Sequence, residues 1–354
     1  MNWKQLLNFE QGEVMGLDIG SSAVKLVTLR KDDSGYTITA AGLVEIAADR
    51  DHKSIIRAIR ECFALTRLRS KNKLKTKLAV CGVSGPEVAV RDFEFSALAD
   101  EDVEGAVTLE AAQVCPFNAE QAAVDYQLIP NGDDKTQGVL IAATNMLITN
   151  KIQLAKEAGL KCVLMDIDGL ALLNCLNDLV SEQERARTAI LNVGGSCTTL
   201  AIMSEGGWPF IRDTNCAGDE IIRQMAAANN IPQETLRTML FGDSPDSENS
   251  LGENLEKACA ELIADVSETL RYYATQKKST PVEKILVCGG FAPARGFVEL
   301  LSRRLGTEVL LWNPLDNMRC EASGKCEDIY RKTGPAMAVA AGLAMRSIKS
   351  SENE

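Results

Sequence analysis

Apolar runs broken by glycine alternate along this chain with segments of helical periodicity. Period-two alternation and turn residues predict a meander of short strands over residues 14–46 and a second one over 188–213. Helices and a further strand follow each meander. The same order of elements in both halves predicts an α/β fold with two domains facing a central cleft.

A different pattern interrupts the first half. Between 84 and 137 an alternating strand (Val88–Phe95), a helix (Asp100–Val114) and another strand (Val124–Ile129) predict a small α+β insert. A polar loop over 242–252 and one long helix over Glu253–Gln276 are predicted in the second half. The expected domains are 13–83 with 138–186, the inserted subdomain 84–137, and 187–347.

Two similar glycine turns carry the candidate chemistry. Gly16–Lys25 and Ile190–Thr199 each read as an apolar strand, a polar residue, a glycine turn and a second strand. Glycine lets backbone N–H groups approach an anion, and serine hydroxyls add donors. Asp18 is placed to hold hydrated Mg²⁺ beside phosphates. One such turn is a common strand connection, whereas two copies favour a phosphate site made of Gly20, Ser21, Ser22, Lys25, Asn192, Gly194, Gly195 and Ser196.

A third glycine site follows the apolar run at Lys284–Cys288. Gly289 and Gly290 lack side chains, so a flat base can lie against their backbone, and a helix start nearby favours anions. The alternative is an ordinary turn from strand to helix.

These three sites, in this order, resemble the actin-like ATPase superfamily, in which two hairpins clamp phosphates and a Gly-Gly turn holds adenosine. Further motifs resemble the PilM family of type IV pilus assembly proteins over roughly Val14 to Arg346. They are Gly85–Val88, Arg91–Phe95, Glu110–Phe117, Val124–Leu128, Ile211–Asp213, Gly218–Glu220, Thr269–Tyr273 and Pro335–Arg346.

The resemblance implies two actin-like (ribonuclease H-like) domains around a nucleotide cleft, with ATP and Mg²⁺ as cofactors. Glu234 and Arg237 stand where the family has a Glu-x-x-Lys helix facing the ribose, although an exposed ion pair fits that spacing equally well. Gly169–Asn174 and Ala336–Gly342 stand where two small-residue helices cross. The remaining candidate cofactor contacts are Gly218, Phe291 and Arg295.

The family resemblance also implies a partner and a location. Such proteins are cytoplasmic and peripheral to the inner membrane, where a groove between insert and first domain holds the cytoplasmic tail of a bitopic PilN-like protein. The expected function is therefore assembly of the type IV pilus platform, with self-association as a further expectation. Phe93, Phe95 and Phe117 either line that groove or form the insert's own core.

One departure from the superfamily pattern bears on catalysis. Asn192 stands where relatives usually carry a second acid, and an amide cannot act as a general base. Nucleotide binding is therefore expected, with ATP hydrolysis slow or absent. The sequence singles out no catalytic residue.

Composition excludes several other classes. A net charge of −11 argues against nucleic acid as a partner, and a single histidine, His52, removes His-dependent triads. The odd number of cysteines, 11, and the lack of a signal peptide or long apolar run fit a reducing compartment. The basic run Arg67–Lys77 is read as a solvated loop or a contact with anionic lipid. An FtsA-like division protein and a small-molecule kinase remain the alternatives.

Overall fold

A computed structural model describes residues 14–33, 35–69, 77–130, 135–185, 187–242, 248–321 and 333–352. The strands are β1 (Met15–Ile19), β2 (Ala23–Asp32), β3 (Gly35–Glu45), β4 (Leu78–Val83), β5 (Val88–Ser96), β6 (Ala122–Leu128), β7 (Lys135–Thr144), β8 (Lys161–Ile167), β9 (Thr188–Val193), β10 (Thr198–Met203), β11 (Pro209–Thr214), β12 (Lys284–Cys288), β13 (Glu308–Leu311) and β14 (Arg319–Cys320). The helices are α1 (His52–Arg69), α2 (Asp100–Val114), α3 (Asn145–Glu157), α4 (Asp168–Leu179), α5 (Glu182–Arg185), α6 (Gly218–Asn229), α7 (Gln233–Phe241), α8 (Glu248–Ala258), α9 (Ala260–Ala274), α10 (Phe297–Leu305) and α11 (Ala338–Glu352).

Two mixed sheets repeat one plan. The first has the order β14-β3-β2-β1-β4-β8 and the second the order β11-β10-β9-β12-β13. In each, an antiparallel meander is extended by parallel strands on the far side of its first strand. Strand β1 is buried along its whole length, as an inner strand covered on both faces must be. The predicted duplication of an α/β unit is confirmed.

The insert has a sheet and a core of its own. Its sheet runs β5-β7-β6, and α2 packs on one face through Val103 and Val107 against Phe93 and Leu140. The ring of Phe93 lies 5.1 Å from that of Phe95 and is almost fully buried. Strand β7 crosses the expected boundary between 137 and 138, so residues 138–144, assigned from the sequence to the first domain, lie in the sheet of the insert.

Two helices cross between the sheets at small residues. Helix α11 packs on β1, β2 and β4, and it crosses α4, which packs in turn on β10 and β11. A Cβ added to Gly342 would lie 1.9 Å from the carbonyl oxygen of Ala171, so any larger residue would force the helices apart. Strand β14 pairs with β3 in the first sheet, and helix α11 packs on that sheet. Both elements fall within the expected second domain, 187–347.

The helix expected over 253–276 is two helices in the structure. Helix α8 begins at Glu248, inside the predicted polar loop, and the helical conformation is interrupted at Cys259 before α9 begins. Asn, Ser and Glu suit a helix start as well as a loop, which is why composition alone did not separate the two. Most of the basic run Arg67–Lys77 lies outside the described residues. Among the residues that are described, no helix combines the length and the apolar character needed to cross a bilayer.

Candidate functional site

The two glycine turns predicted to grip phosphates face each other across the cleft. Residues 20–22 connect β1 to β2, and residues 194–196 stand at the matching place after β9. A Cβ on Gly195 would lie 2.7 Å from Ser21 Oγ and 3.1 Å from Ser22 Oγ. Fold duplication therefore brings two sets of backbone and hydroxyl donors to one point, the arrangement that an oligophosphate needs.

The first hairpin carries an ion pair. The β1–β2 register sets Asp18 opposite Lys25, and Lys25 Nζ lies 3.0 Å from Asp18 Oδ2. Both side chains are nearly buried, at 12% and 13% exposed, so each charge depends on the other for compensation. No three acidic, His or Cys side chains of the described residues are close enough together to hold a metal ion. A metal at Asp18 would need phosphate and water as its other ligands.

A second carboxylate at the cleft, Asp168, escaped the sequence analysis. It opens α4 and is partly buried; Oδ2 accepts a 2.6 Å hydrogen bond from Ser84 Oγ, and the buried Oδ1 has no hydrogen-bond partner among the described residues. Burial, with the nearby charge of Asp18, raises the pKa of Asp168 to about 7. The available signal was an acid at the junction between an apolar strand and a small-residue helix.

Asp213, near the end of β11, is the third carboxylate at the cleft. Its Oδ1 accepts a 2.5 Å hydrogen bond from Thr199 Oγ1, and its Oδ2 accepts one of 2.7 Å from Gly85 N. Burial raises the pKa of Asp213. In the sequence, Asp213 stands out only as part of a family motif.

Helix α6 fixes the second hairpin. Its first N–H groups, on Gly218 and Asp219, donate to the carbonyl oxygens of Gly194 (3.0 Å) and Gly195 (2.9 Å). A Cβ on Gly218 would lie 2.8 Å from the ring of Phe291, so this glycine permits close packing beside the turn. Within the described residues, the one hydrogen bond that the Asn192 side chain accepts, near the end of β9, is a weak thiol bond from Cys288 at 3.7 Å.

The Gly-Gly turn has one structural and one open glycine. Gly289 has a φ of +96°, a region that favours glycine, and an added Cβ would lie 2.4 Å from Val193 O. Gly290 is exposed, and an added Cβ would meet nothing within 4 Å. Only Gly290 therefore offers free backbone surface to a flat ligand.

Two residues predicted to contact the cofactor, Phe291 and Arg295, contact other parts of the second domain in the structure. The Phe291 ring is buried and packs edge-on against Phe241 and Phe297, so it anchors the turn in the core of the second domain. Arg295 donates a 2.8 Å hydrogen bond to Gly242 O, where it binds a carbonyl just past the end of α7. An apolar or basic residue after a glycine turn fits either role, and burial decides between them.

A cluster of opposite charges crosses the cleft beside the second hairpin. Asp219 binds Arg237 at 3.0 Å within its own domain and Arg50 at 2.5 Å from the first domain. Although burial alone raises the pKa of Asp219, these two guanidinium groups hold it below its ordinary value. Arg237 thus pairs with Asp219 and not with Glu234, which is exposed. A polar cavity of about 440 Å³ lies here, bordered by Arg50, Gly195, Ser196 and Asp219.

Comparison with known proteins places this geometry in a family. The family described as type IV pilus assembly protein PilM matches residues 16–348, which is nearly the whole chain. The chain belongs to the PilM family. A solved PilM–PilN type IV pilus biogenesis complex is similar in fold, with a TM-score of 0.78 and 21% identity over 95% of this chain and 98% of that one. The expected fold class, two actin-like domains with a small insert, is confirmed.

Cell division protein FtsA is a more distant relative of this PilM-family chain. The protein from Pseudomonas aeruginosa is 25% identical over 353 residues, covering 81% of this chain and 79% of the relative. The protein from Bacillus subtilis is 23% identical over 239 residues, covering 60% of this chain, and the chain spans about half (53%) of its length. The FtsA likeness is weaker than the match to the PilM family.

Proposed function

We propose that this PilM-family chain binds ATP with Mg²⁺ in the cleft and serves as an assembly scaffold of the type IV pilus inner-membrane platform. The observation that carries the nucleotide part is the convergence of the hairpins at 20–22 and 194–196 from opposite domains. Lys25 supplies a cation for the phosphates, Asp18 a carboxylate for hydrated Mg²⁺, and Gly290 an open surface for the base. A bound nucleotide contacts both domains and so favours a closed cleft.

The nucleotide assignment is tested best at Gly290. Any substitution of Gly289 would strain a positive φ and strike Val193 O, so loss of binding there would report on folding as well. Gly290→Asp instead puts a carboxylate into open space where the base would lie, and Gly290→Ala is the matched control.

Calorimetry with Mg·ATP measures the result. We expect Gly290→Asp to weaken binding at least about tenfold, while Gly290→Ala stays within about twofold of the unaltered protein. Equal affinities for all three proteins, or no ATP binding by the unaltered one, would remove the nucleotide assignment.

The partner in this proposal is the cytoplasmic tail of a PilN-like bitopic membrane protein, which recruits the chain to the inner face of the membrane. Its docking surface lies between insert and first domain, where α3 packs beside the edge strand β6. Leu128 of β6 and Met146 and Ile152 of α3 are exposed, at 40%, 74% and 41%. The insert aromatics Phe93 and Phe95 are occupied in their own core, so these aliphatic residues take over as apolar anchors.

A synthetic tail of about ten residues, from the membrane protein encoded beside this chain, is the probe. Met146→Glu places a charge on the docking surface and is expected to lower affinity at least about tenfold. Leu109→Glu alters an equally exposed side chain (69%) on α2 and is expected to leave affinity unchanged. If both variants bind the tail as the unaltered chain does, the tail docks elsewhere.

A further inference from the structure

A second large groove lies at the opposite edge of the insert. It has a volume of about 760 Å³ and runs between β5 of the insert and β11 with the end of α9 of the second domain. In the sheet order β5-β7-β6 the strands β5 and β6 are opposite edges, so this β5–β11 groove is separate from the surface proposed for the tail. The Gly85–Asp213 hydrogen bond, 2.7 Å long, forms part of its lining and ties insert to second domain.

Aromatic residues form an apolar wall along the groove. Phe210 lies 6.2 Å from Tyr272 and 5.2 Å from Tyr273, measured between ring centroids. Tyr273 is fixed by hydrogen bonds of its hydroxyl to Ser204 Oγ and Thr280 N, whereas Tyr272 is 52% exposed. A fixed ring behind an exposed one gives a preformed seat for an apolar side chain.

Two strand edges border the groove. In the described part of the chain β5 pairs only with β7, and β11 pairs only with β10. Five successive residues of β11, 209–213, line the groove, as expected of a strand that presents its edge and both of its faces. Unpaired backbone donors and acceptors of this kind bind an extended peptide by strand addition.

The charges of the groove are opposite in sign to those of the chain as a whole. Its basic lining residues are Arg91, Arg212, Lys277 and Lys278. Its acidic lining residues are one fewer, Asp92, Glu94 and Asp213, and Glu94 is paired with Lys135 at 2.7 Å. A chain of net charge −11 thus keeps a basic excess at one groove, where it attracts carboxylates.

We propose that the β5–β11 groove binds an extended acidic segment of a second partner protein. The backbone of that segment pairs with a free strand edge, an apolar side chain rests on Phe210 and Tyr272, and its carboxylates lie beside Arg212 and Lys277. Apolar wall, unpaired edges and basic rim each recognise a different part of one such peptide.

Fluorescein-labelled peptides of about ten residues test this by anisotropy. One set alternates Glu with Leu or Trp, and the matched set carries Lys in place of Glu. The protein variants are the pair Arg212→Glu with Lys277→Glu, the single change Tyr272→Ser, and a control pair, Lys53→Glu with Arg57→Glu, on the exposed face of α1. The control changes net charge by the same amount away from the groove, and thermal unfolding verifies that each variant is folded.

We expect acidic peptides to bind the unaltered protein. The affinity should fall at least about tenfold in the variant with Arg212→Glu and Lys277→Glu, and it should fall less in Tyr272→Ser. The control pair should bind the peptides as the unaltered protein does. Preference for the Lys peptides, equal loss in the control pair, or no binding of any acidic peptide would overturn the proposal. Self-association of the unaltered chain that the groove pair abolishes would assign the groove to a second copy and overturn it too. Met146→Glu should leave these affinities unchanged, which separates this groove from the tail surface.

Discussion

The two hairpins have the same backbone arrangement, but only the first has charged side chains at its facing positions. In the β1–β2 register Asp18 faces Lys25, and in the β9–β10 register Asn192 faces Thr199 at the equivalent place. The first pair is an ion pair at 3.0 Å. The second pair is neutral, and the hydroxyl of Thr199 donates instead to Asp213 on the next strand.

The difference teaches that duplicated backbone need not duplicate chemistry. The acid missing at Asn192 has a counterpart two strands away at Asp213, and Asp168 adds another from a helix start. Asp168 lies near enough to both Asp18 and Asp213 for their charges to raise its pKa. Asp18, Asp168 and Asp213 therefore approach the cleft from three different elements, and Lys25 and Lys151 compensate part of their charge.

The largest effect on stability is expected in the first hairpin, which carries the ion pair. Lys25→Ala leaves the Asp18 carboxylate nearly buried and unpaired, so the free energy of unfolding should fall by about 3 kcal/mol. Asn192→Ala, in the neutral hairpin, removes only a weak thiol hydrogen bond and should cost about 1 kcal/mol or less. Urea denaturation of both variants measures the contrast.

A double variant controls for lost packing at Lys25. Asp18→Asn combined with Lys25→Ala removes both charges, so most of the stability lost in Lys25→Ala should return. Similar losses in the two single variants would show that the hairpins are energetically alike and that the ion pair carries no special weight.

Local pattern predicted the elements well, but it did not predict which sheet each one joins. Both meanders, the insert and the hairpin turns follow from short-range alternation and glycine. Strand β7 pairs in the sheet of the insert and helix α11 packs on the first sheet, which the expected boundaries did not indicate, because partner choice depends on residues far away in sequence. A β-branched run looks the same whichever strand it pairs with.

For the site, the sequence identified the turns and Asp18 but not the carboxylate of Asp168. Gly20 and Gly195 stand in motifs with a recognisable spacing, and the structure brings their turns together. Asp168 has no such motif, because its role depends on burial by the crossing of α4 with the sheets. In the same way, Phe291 was expected to contact a ligand but is buried in the core of the second domain.

Asp168 gives the next largest effect, as a pH dependence. Its pKa of about 7 in the folded chain exceeds the unfolded value of 3.8, so the folded state holds this proton more tightly. The resulting stability is complete below pH ~4 and is lost as pH rises through ~7. Asp168→Asn keeps the neutral form throughout. The full shift corresponds to about 4 kcal/mol, and because Asp168 is only partly buried, solvent screening reduces the expected gain over the unaltered protein to about 2 kcal/mol between pH 4 and pH 8.

Urea denaturation of both proteins at several pH values provides the measurement. Curves that stay parallel from pH 4 to pH 8 would mean that Asp168 titrates normally and that its charge is not confined in the cleft.

A smaller effect is expected from restoring the acid to the second hairpin. Asn192→Asp adds a carboxylate to a cleft that already holds Asp18, Asp168 and Asp213, so without Mg²⁺ it should destabilise the fold by about 1 kcal/mol. Mg·ATP should reverse that loss and raise ATP turnover above that of the unaltered chain, which we expect to lie far below the median enzyme rate of about 10 s⁻¹. A loss that persists with Mg·ATP would show that residue 192 does not face the metal.

The smallest effect concerns the ion pair that joins the halves beside the second hairpin. Arg50 reaches from the first domain to Asp219 at 2.5 Å, but its side chain is 40% exposed, so solvent screens the pair. A double-mutant cycle with Arg50→Ala and Asp219→Asn should give a coupling of about 0.5 kcal/mol in low salt and less in 1 M NaCl, where the Debye length is about 3 Å. Alanine keeps the Cβ and therefore the same cost of the positive φ, 46°, at residue 50. A coupling as large as that between Asp18 and Lys25 would mean that the exposed bridge holds the cleft as firmly as the buried pair, which would remove the asymmetry between the two hairpins.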